Sequence, residues 1–236
     1  MATFTYNGRR FDELMILKGF SIPAWATVRL EHNIIPNRNG ALVSSRRHMS
    51  RMISVPVAFK FRDRKDFNEI MERISSHLLA LTAKPLIFDL EPERQFFAKV
   101  DERFTVAPGN GVAEGSISFI CHDPYKYAVD PVVTNATAIQ NRGSAPCHPN
   151  FLVQFTASRN EFVITNATTG RTQRVLWNFA AGDVLEIDSA KRRISINGRA
   201  QMHAFDFMSQ WIELAPGINN LQANHGFMTD FFERWY

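Results

Sequence analysis

Apolar and polar residues alternate with a period of two along most of this chain. The cleanest run sets Ile53, Val55, Val57, Phe59 and Phe61 against Ser54, Pro56, Ala58, Lys60 and Arg62. That spacing places one face of a strand in a core. Pro56 has no N–H for a ladder, so an edge strand or a bulge is expected there. Phe4 and Tyr6 make a shorter strand ending in a turn at Asn7-Gly8. Strand-like runs follow at Leu14–Leu17, at Trp25, Val28 and Leu30, and at Leu86–Leu90, Phe97–Val106 and Ser116–Cys121. The period changes once. Phe67, Ile70, Met71, Ile74, Leu78 and Leu81 recur at helical spacing, with Asp63 as N-cap and Pro85 as the stop. A helix over 63–83 is predicted, its apolar stripe turned to the core.

The second half is strand and turn throughout. Phe151, Val153 and Phe155 alternate; apolar runs follow at Phe162–Thr165, Arg174–Phe179, Val184–Asp188, Trp211–Leu214, Ile218–Gln222 and Met228–Tyr236. Ile194 and Ile196 lead into Asn197-Gly198, a strong hairpin signal. Short strands at intervals of roughly 8–12 residues imply a sandwich or jelly roll. Pro124, Pro131, Pro146 and Pro149 cluster between the halves. Two domains are therefore expected, 1–135 with the helix and 136–236 without one. The fold class is mainly β.

Composition narrows the function classes. With 236 residues, 45% hydrophobic and 21% charged, the chain can fill real cores and is not a disordered or low-complexity polymer. Cys121 and Cys147 cannot make a disulfide framework. No apolar run reaches the ~18 residues of a membrane span, and the start has no apolar segment of the kind a secretory signal needs. A net charge of +4 is too mild to imply nucleic-acid binding by the whole chain. The charge is unevenly placed, however. Val28 to Lys65 holds nine basic residues against Glu31 and Asp63, a net of +7. Residues 31–51, with Pro36, Asn37, Asn39 and Gly40 among them, read as an extended basic hairpin or arm. It is either a solvated loop with flanking strand ends or a surface that meets an acidic partner. Arg29, Arg38, Arg46, Arg47 and Arg51 are the candidate contacts. No aromatic residue lies between Glu31 and Arg51 to stack on bases.

Catalytic signatures are missing. The sequence has no P-loop, GxGxxG, HExxH or GxSxG. Cys121-His122-Asp123 and Cys147-His148 are the local ligand-like clusters, but neighbours on a strand point to opposite faces. Zinc spacing is absent. Asp183, Glu186, Asp188, Asp206 and Glu213 could supply a glycosidase pair, yet Asp183 and Asp188 flank turns, where carboxylates bond local backbone N–H groups. Trp177 and Trp211 could stack on sugar rings, or fill the sandwich core.

Certain motifs, in shared order, resemble the distal tail proteins (Dit) of long-tailed phages. In the first half they are Phe4-Thr5-Tyr6-Asn7-Gly8, Lys84-Pro85-Leu86 and Ser118-Phe119-Ile120-Cys121-His122-Asp123-Pro124-Tyr125. In the second they are Asn141-Arg142-Gly143, Ala181-Gly182-Asp183-Val184-Leu185-Glu186-Ile187-Asp188, Ile194-Ser195-Ile196-Asn197-Gly198, Leu214-Ala215-Pro216-Gly217-Ile218-Asn219 and Arg234-Trp235-Tyr236. The resemblance implies a tail-tube-like N-terminal β-sandwich flanked by a helix and a C-terminal galectin-like or jelly-roll sandwich. It also implies a non-enzymatic hub without cofactor or metal, acting at the virion tail tip after assembly in the host cytoplasm. Its implied partners are five further copies in a homo-hexameric ring, the tail tube protein, a tail-associated tip or lysin-like protein, and receptor-binding protein in some members. Neither nucleic acid nor membrane belongs to that set. The competing reading is a carbohydrate-binding module on a scaffold domain, with Trp177 and Trp211 as contacts; a cell-wall hydrolase is weaker still.

Overall fold

The structure, a computed structural model, describes residues 2–236. The chain divides into two units, the first running through Lys126 and taking in Tyr236, the second Tyr127–Trp235.

The first unit is built on antiparallel strands. In chain order these are β1 (Phe4–Tyr6), β2 (Arg9–Arg10), β3 (Met15–Ile16), β4 (Val28–Ile34), β5 (Ala41–His48) and β6 (Arg51–Lys60), then helix α1 (Arg64–Leu78). β7 (Lys84–Phe88), β8 (Arg94–Asp101), β9 (Val106–Pro108) and β10 (Val112–Cys121) follow. The main sheet runs β2-β1-β7-β8-β10-β6-β3. β8 pairs with β7 through Phe96–Ala98 and with β10 through Lys99–Asp101. One strand thus serves two partners at its two ends, and the sheet folds into two facing layers. Phe4, Tyr6, Leu86, Phe88 and Phe96 come from one layer and Ile53, Val55, Val57, Phe59 and Phe119 from the other, all in one buried cluster. Phe119 meets Phe4 and Tyr6 at ring distances of 5.6 and 5.5 Å. Asn7 and Gly8 both take positive φ, as a tight turn between twisted strands requires.

The helix is shorter than its pattern suggests. Asp63 caps it as expected, accepting from the Asp66 N–H at 2.9 Å. Ile70, Ile74 and Leu78 are buried against the cluster, each side chain worth about 1.5–3 kcal/mol by burial. The helix then stops at Leu78 rather than near 83, and Leu81 is 95% exposed. Beyond Leu78 only the small Ala80 packs against the core while Leu79 and Leu81 are exposed, too little burial to offset the entropy of ordering another turn. Pro56 also departs from expectation, because β6 is paired on both sides, with β10 and with β3. Its carbonyl accepts from the Leu17 N–H, so its missing donor faces the side covered only by the two-residue β3. Trp25 is 67% exposed and outside any strand, not part of a core-facing strand.

The second unit is a pair of sheets over one core. Its strands are β11 (Lys126–Ala128, which begins in the first unit), β12 (Val132–Thr134), β13 (Ala138–Asn141), β14 (Asn150–Gln154), β15 (Arg159–Asn166) and β16 (Arg171–Phe179). They continue with β17 (Val184–Asp188), β18 (Arg193–Ile196), β19 (Arg199–Ala200), β20 (Gly217–Ala223), β21 (Met228–Phe231) and β22 (Arg234–Trp235). One sheet has the order β12-β21-β14-β17-β18-β19, the other β13-β20-β15-β16. Phe151, Val153, Leu185, Ile187 and Ile194 of the first face Phe162, Ile164, Val175, Phe179 and Leu221 of the second. The arrangement is sandwich-like and mainly β. Trp211–Leu214 is not a strand. It makes a single bridge, Cys147 to Leu214, while Trp211 stacks on Phe205 at 4.4 Å.

Candidate assembly interface

The basic stretch folds as an isolated ribbon. β4 and β5 pair only with each other, and the turn between them uses positive φ at Asn37 and Gly40. Register fixes what each face carries. Val28 lies opposite His48 and Leu30 opposite Arg46, while Arg29 lies opposite Arg47 and Glu31 opposite Ser45. Residues directly across a ladder share a face. One side near the base is therefore apolar with Arg46 and His48, and the other is polar with Arg29 beside Arg47. Leu30, Ile34, Leu42 and Val43 are all exposed. Within the first unit, an open groove of about 610 Å³ at the ribbon's base is lined by Trp25, Val28, Arg46, His48 and Tyr236. The His48 and Tyr236 rings lie 4.9 Å apart. Sequence reading misses this groove, because it places Trp25, two residues after Pro23, in a strand-like run with Val28 and Leu30.

The five arginines divide. Arg29, Arg38, Arg46 and Arg47 lie on the ribbon or its turn, and none has an ion pair among the described residues. Arg51 is different and corrects the expectation that it faces a partner. It is 1% exposed, its guanidinium donates to the Pro23 carbonyl at 3.1 Å, and it sits 5.4 Å from the centre of the Phe96 ring. Alternation explains this: Arg51 shares the inward face of β6 with Ile53 and Val55. Burial depresses its pKa, against the opposing pull of Cys121 and Glu91.

Elsewhere the chemistry is that of packing and turns. Cys121 and Cys147 are buried free thiols, each pushed up to about 12, chiefly by burial. No group of three or more His, Cys, Asp or Glu able to hold a metal ion occurs among the described residues. Asp183 accepts from Asn197 Nδ2 and the Ala180 N–H, which hold its carboxyl below the usual range. An acid catalyst needs the opposite shift. Trp177 leans on His203 at 5.8 Å, and both it and Trp211 pack half-buried against the core of the second unit.

Comparison with known proteins fits both units. A family model described as phage tail protein RIFT-related domain matches residues 12–121, and one described as siphovirus-type tail component, C-terminal domain, matches 142–235. The chain belongs to the siphovirus distal tail protein family. The distal tail protein of Bacillus phage SPP1 is 24% identical over 224 residues, spanning 92% of this chain and 88% of that relative. The crystal structure of SPP1 Dit, described there as a paradigm of hub adsorption apparatus in phages infecting Gram-positive hosts, shares the fold. It superimposes with a TM-score of 0.89 at 21% identity over the whole of both chains. A chain of the phage P2 baseplate, in its activated conformation with Ca, superimposes at a TM-score of 0.56 and 8% identity, covering 100% of this chain and 98% of that one.

Proposed function

We propose that the protein is the structural hub of a long-tailed phage tail tip, a hexameric ring that joins the tail tube to the baseplate or tip and to the host-adsorption apparatus. It acts without catalysis in the virion, after assembly in the host cytoplasm. Family membership supports the role, and the ribbon is the observation that carries the ring. A lone two-stranded ribbon is marginal in water, and this one exposes an apolar face and sets Arg29 against Arg47. Like charges directly opposite are destabilising. Neighbouring copies that cover the apolar face on one side of the ribbon and bring carboxylates to Arg29 and Arg47 on the other remove both costs. Head-to-tail contacts of this kind use two different surfaces of each copy and close into a ring when the rotation between copies divides a full turn. The first unit is the ring-forming, tail-tube-like element, and the second a galectin-like sandwich turned to receptor-binding or tip proteins.

Light scattering coupled to size exclusion tests this reading. The wild type is expected at about six times the 27.0 kDa of the chain, alone or with its tube and tip partners. Replacing Arg29, Arg46 and Arg47 together by Glu is expected to give monomer with unchanged circular dichroism. A ring that survives the triple change would remove the ribbon from the interface.

A further inference from the structure

The outward face of the larger sheet in the second unit carries a polar row. Asn150 lies directly opposite Asp188 on β17 and Asp230 on β21, so the three side chains share the face away from buried Phe151 and Ile187. A cavity of about 160 Å³ opens there, its lining including Tyr127, His148, Asn150, Asp188, Lys191 and Phe232. That is the share of roughly five waters.

The lining offers donors and acceptors side by side. Asn150 Nδ2 donates to Asp230 at 2.9 Å, and its Oδ1 has no partner among the described residues. Asp188 accepts from the Lys191 N–H and ammonium at 2.8 and 3.0 Å. A carboxylate keeps spare lone pairs after that, and the ammonium keeps spare hydrogens. His148 Nδ1 is buried with no partner. The Phe232 ring is 39% exposed at the cavity's edge. Charges of both signs line it, Lys191 and Arg234 against Asp188 with Asp230 close by, so neither a simple anion nor a simple cation matches the whole lining. An apolar ligand would strand the polar groups. A polyol ring suits both features, since each hydroxyl donates and accepts at once while its C–H face lies on an aromatic ring.

We propose that this cavity binds one pyranose residue of a glycan. Phe232 carries the ring face, and Asn150, Asp188 and Lys191 read its hydroxyls. Burial first, and the Arg234 charge next, lower the pKa of the His148 imidazole beside it, against the opposing pull of Glu213. Trp177 and Trp211 do not line this cavity, so the site is distinct from the pair that sequence singles out. It does not depend on ring formation.

Saturation-transfer NMR on the full-length protein, with the methyl glycosides of glucose, galactose and N-acetylglucosamine as probes, tests the site. At least one is expected to take up saturation. Phe232→Ala and Lys191→Ala, both at exposed positions, are expected to weaken binding at least about fivefold while circular dichroism shows the native fold kept. Absence of transfer from all three probes overturns the proposal. So does a signal that survives both changes, or one abolished by Trp177→Ala instead. Broadening of the phosphorus resonance of inorganic phosphate without sugar binding would make the cavity an anion site and overturn it equally.

Discussion

Asn141 offers the sharpest test of how the second unit is held together. The residue is 1% exposed at the end of β13. Its Nδ2 donates to the Ala145 and Leu214 carbonyls, both at 3.1 Å, and its Oδ1 accepts from the Gly143 N–H at 2.9 Å. One amide thus bonds three backbone groups, Gly143 and Ala145 in its own turn and Leu214 across the unit, the last of which also accepts from the Cys147 N–H. A typical bond contributes about 0.5–1.5 kcal/mol net, and a buried group left alone costs about 1–3. Asn141→Ala is therefore expected to cost about 3 kcal/mol, allowing for partial relaxation. Asn141→Asp is expected to cost more, because a carboxylate oxygen would replace the amide donor and face two carbonyls. Three of the four tryptophans, Trp177, Trp211 and Trp235, belong to the second unit. Urea unfolding followed by tryptophan fluorescence, at one fixed protein concentration, reads that unit chiefly. The melting temperature is expected to fall by roughly 10 °C or more for the alanine variant. A loss under about 0.5 kcal/mol, well below one hydrogen bond, or an aspartate variant no worse than alanine, would refute the reasoning.

Gly143→Ala is expected to leave little folded protein, since a Cβ there runs into the backbone of Arg234 and into Asn141 Oδ1; normal yield and melting would contradict the close approach. Arg51→Met keeps length while removing a buried charge whose Nε and one terminal nitrogen lack partners. It is expected to fall within about 1 kcal/mol of wild type, and Arg51→Ala to cost about 2 kcal/mol more through its cavity; denaturant unfolding decides, and equal costs would refute the packing argument. Neither cysteine is expected to react with a disulfide reagent at pH 8 in the native protein, because both thiols titrate near 12. Both should react in urea; native labelling would show that the burial is wrong. Burial raises the Asp188 carboxyl, but the Lys191 N–H and ammonium and the Ala190 N–H draw it below its ordinary value of 3.8. Its stabilisation is present above the unfolded value and is lost as pH falls through the lower folded one. Asp188→Asn is therefore expected to flatten the stability curve of the second unit below about pH 4, and an unchanged acid limb would refute the assignment.

Alternation made the strands legible, and its limits mark what was not. Ile53, Val55, Val57 and Phe59 face inward as the period demands, and Asn7-Gly8 and Asn197-Gly198 turn where positive φ is cheap. The same period also places Arg51 inward. Residue type suggested a surface, and register overruled it. Leu81 misled for the converse reason, since helical spacing continues past the point where the core ends. The cavity around Asn150 was illegible because it joins residues from four separate stretches, 127, 148–150, 188–191 and 231–234. No local pattern encodes that meeting. The groove beside Trp25 depends likewise on Tyr236, some two hundred positions away in the chain.

The ribbon's composition makes sense only as an incomplete structure. Its two strands span seven and eight residues, and fixing each residue's backbone costs about 1–2 kcal/mol. Ladder bonds between two strands return little of that in water. The apolar side chains that could return more, Leu30, Ile34, Leu42 and Val43, are exposed. A ribbon selected to be stable alone would bury those residues or replace them with polar ones, and would not oppose Arg29 to Arg47. The proposed ring turns each liability into specificity. Apolar area drives association, and unpaired guanidinium groups admit only a surface with carboxylates in register. Hydrogen exchange separates this from a ribbon ordered by its own unit. In the charge-reversed monomer the amides of β4 and β5 are expected to exchange almost unprotected while those of β6 and β10 stay slow. Equal protection in ring and monomer would mean that the ribbon needs no neighbour.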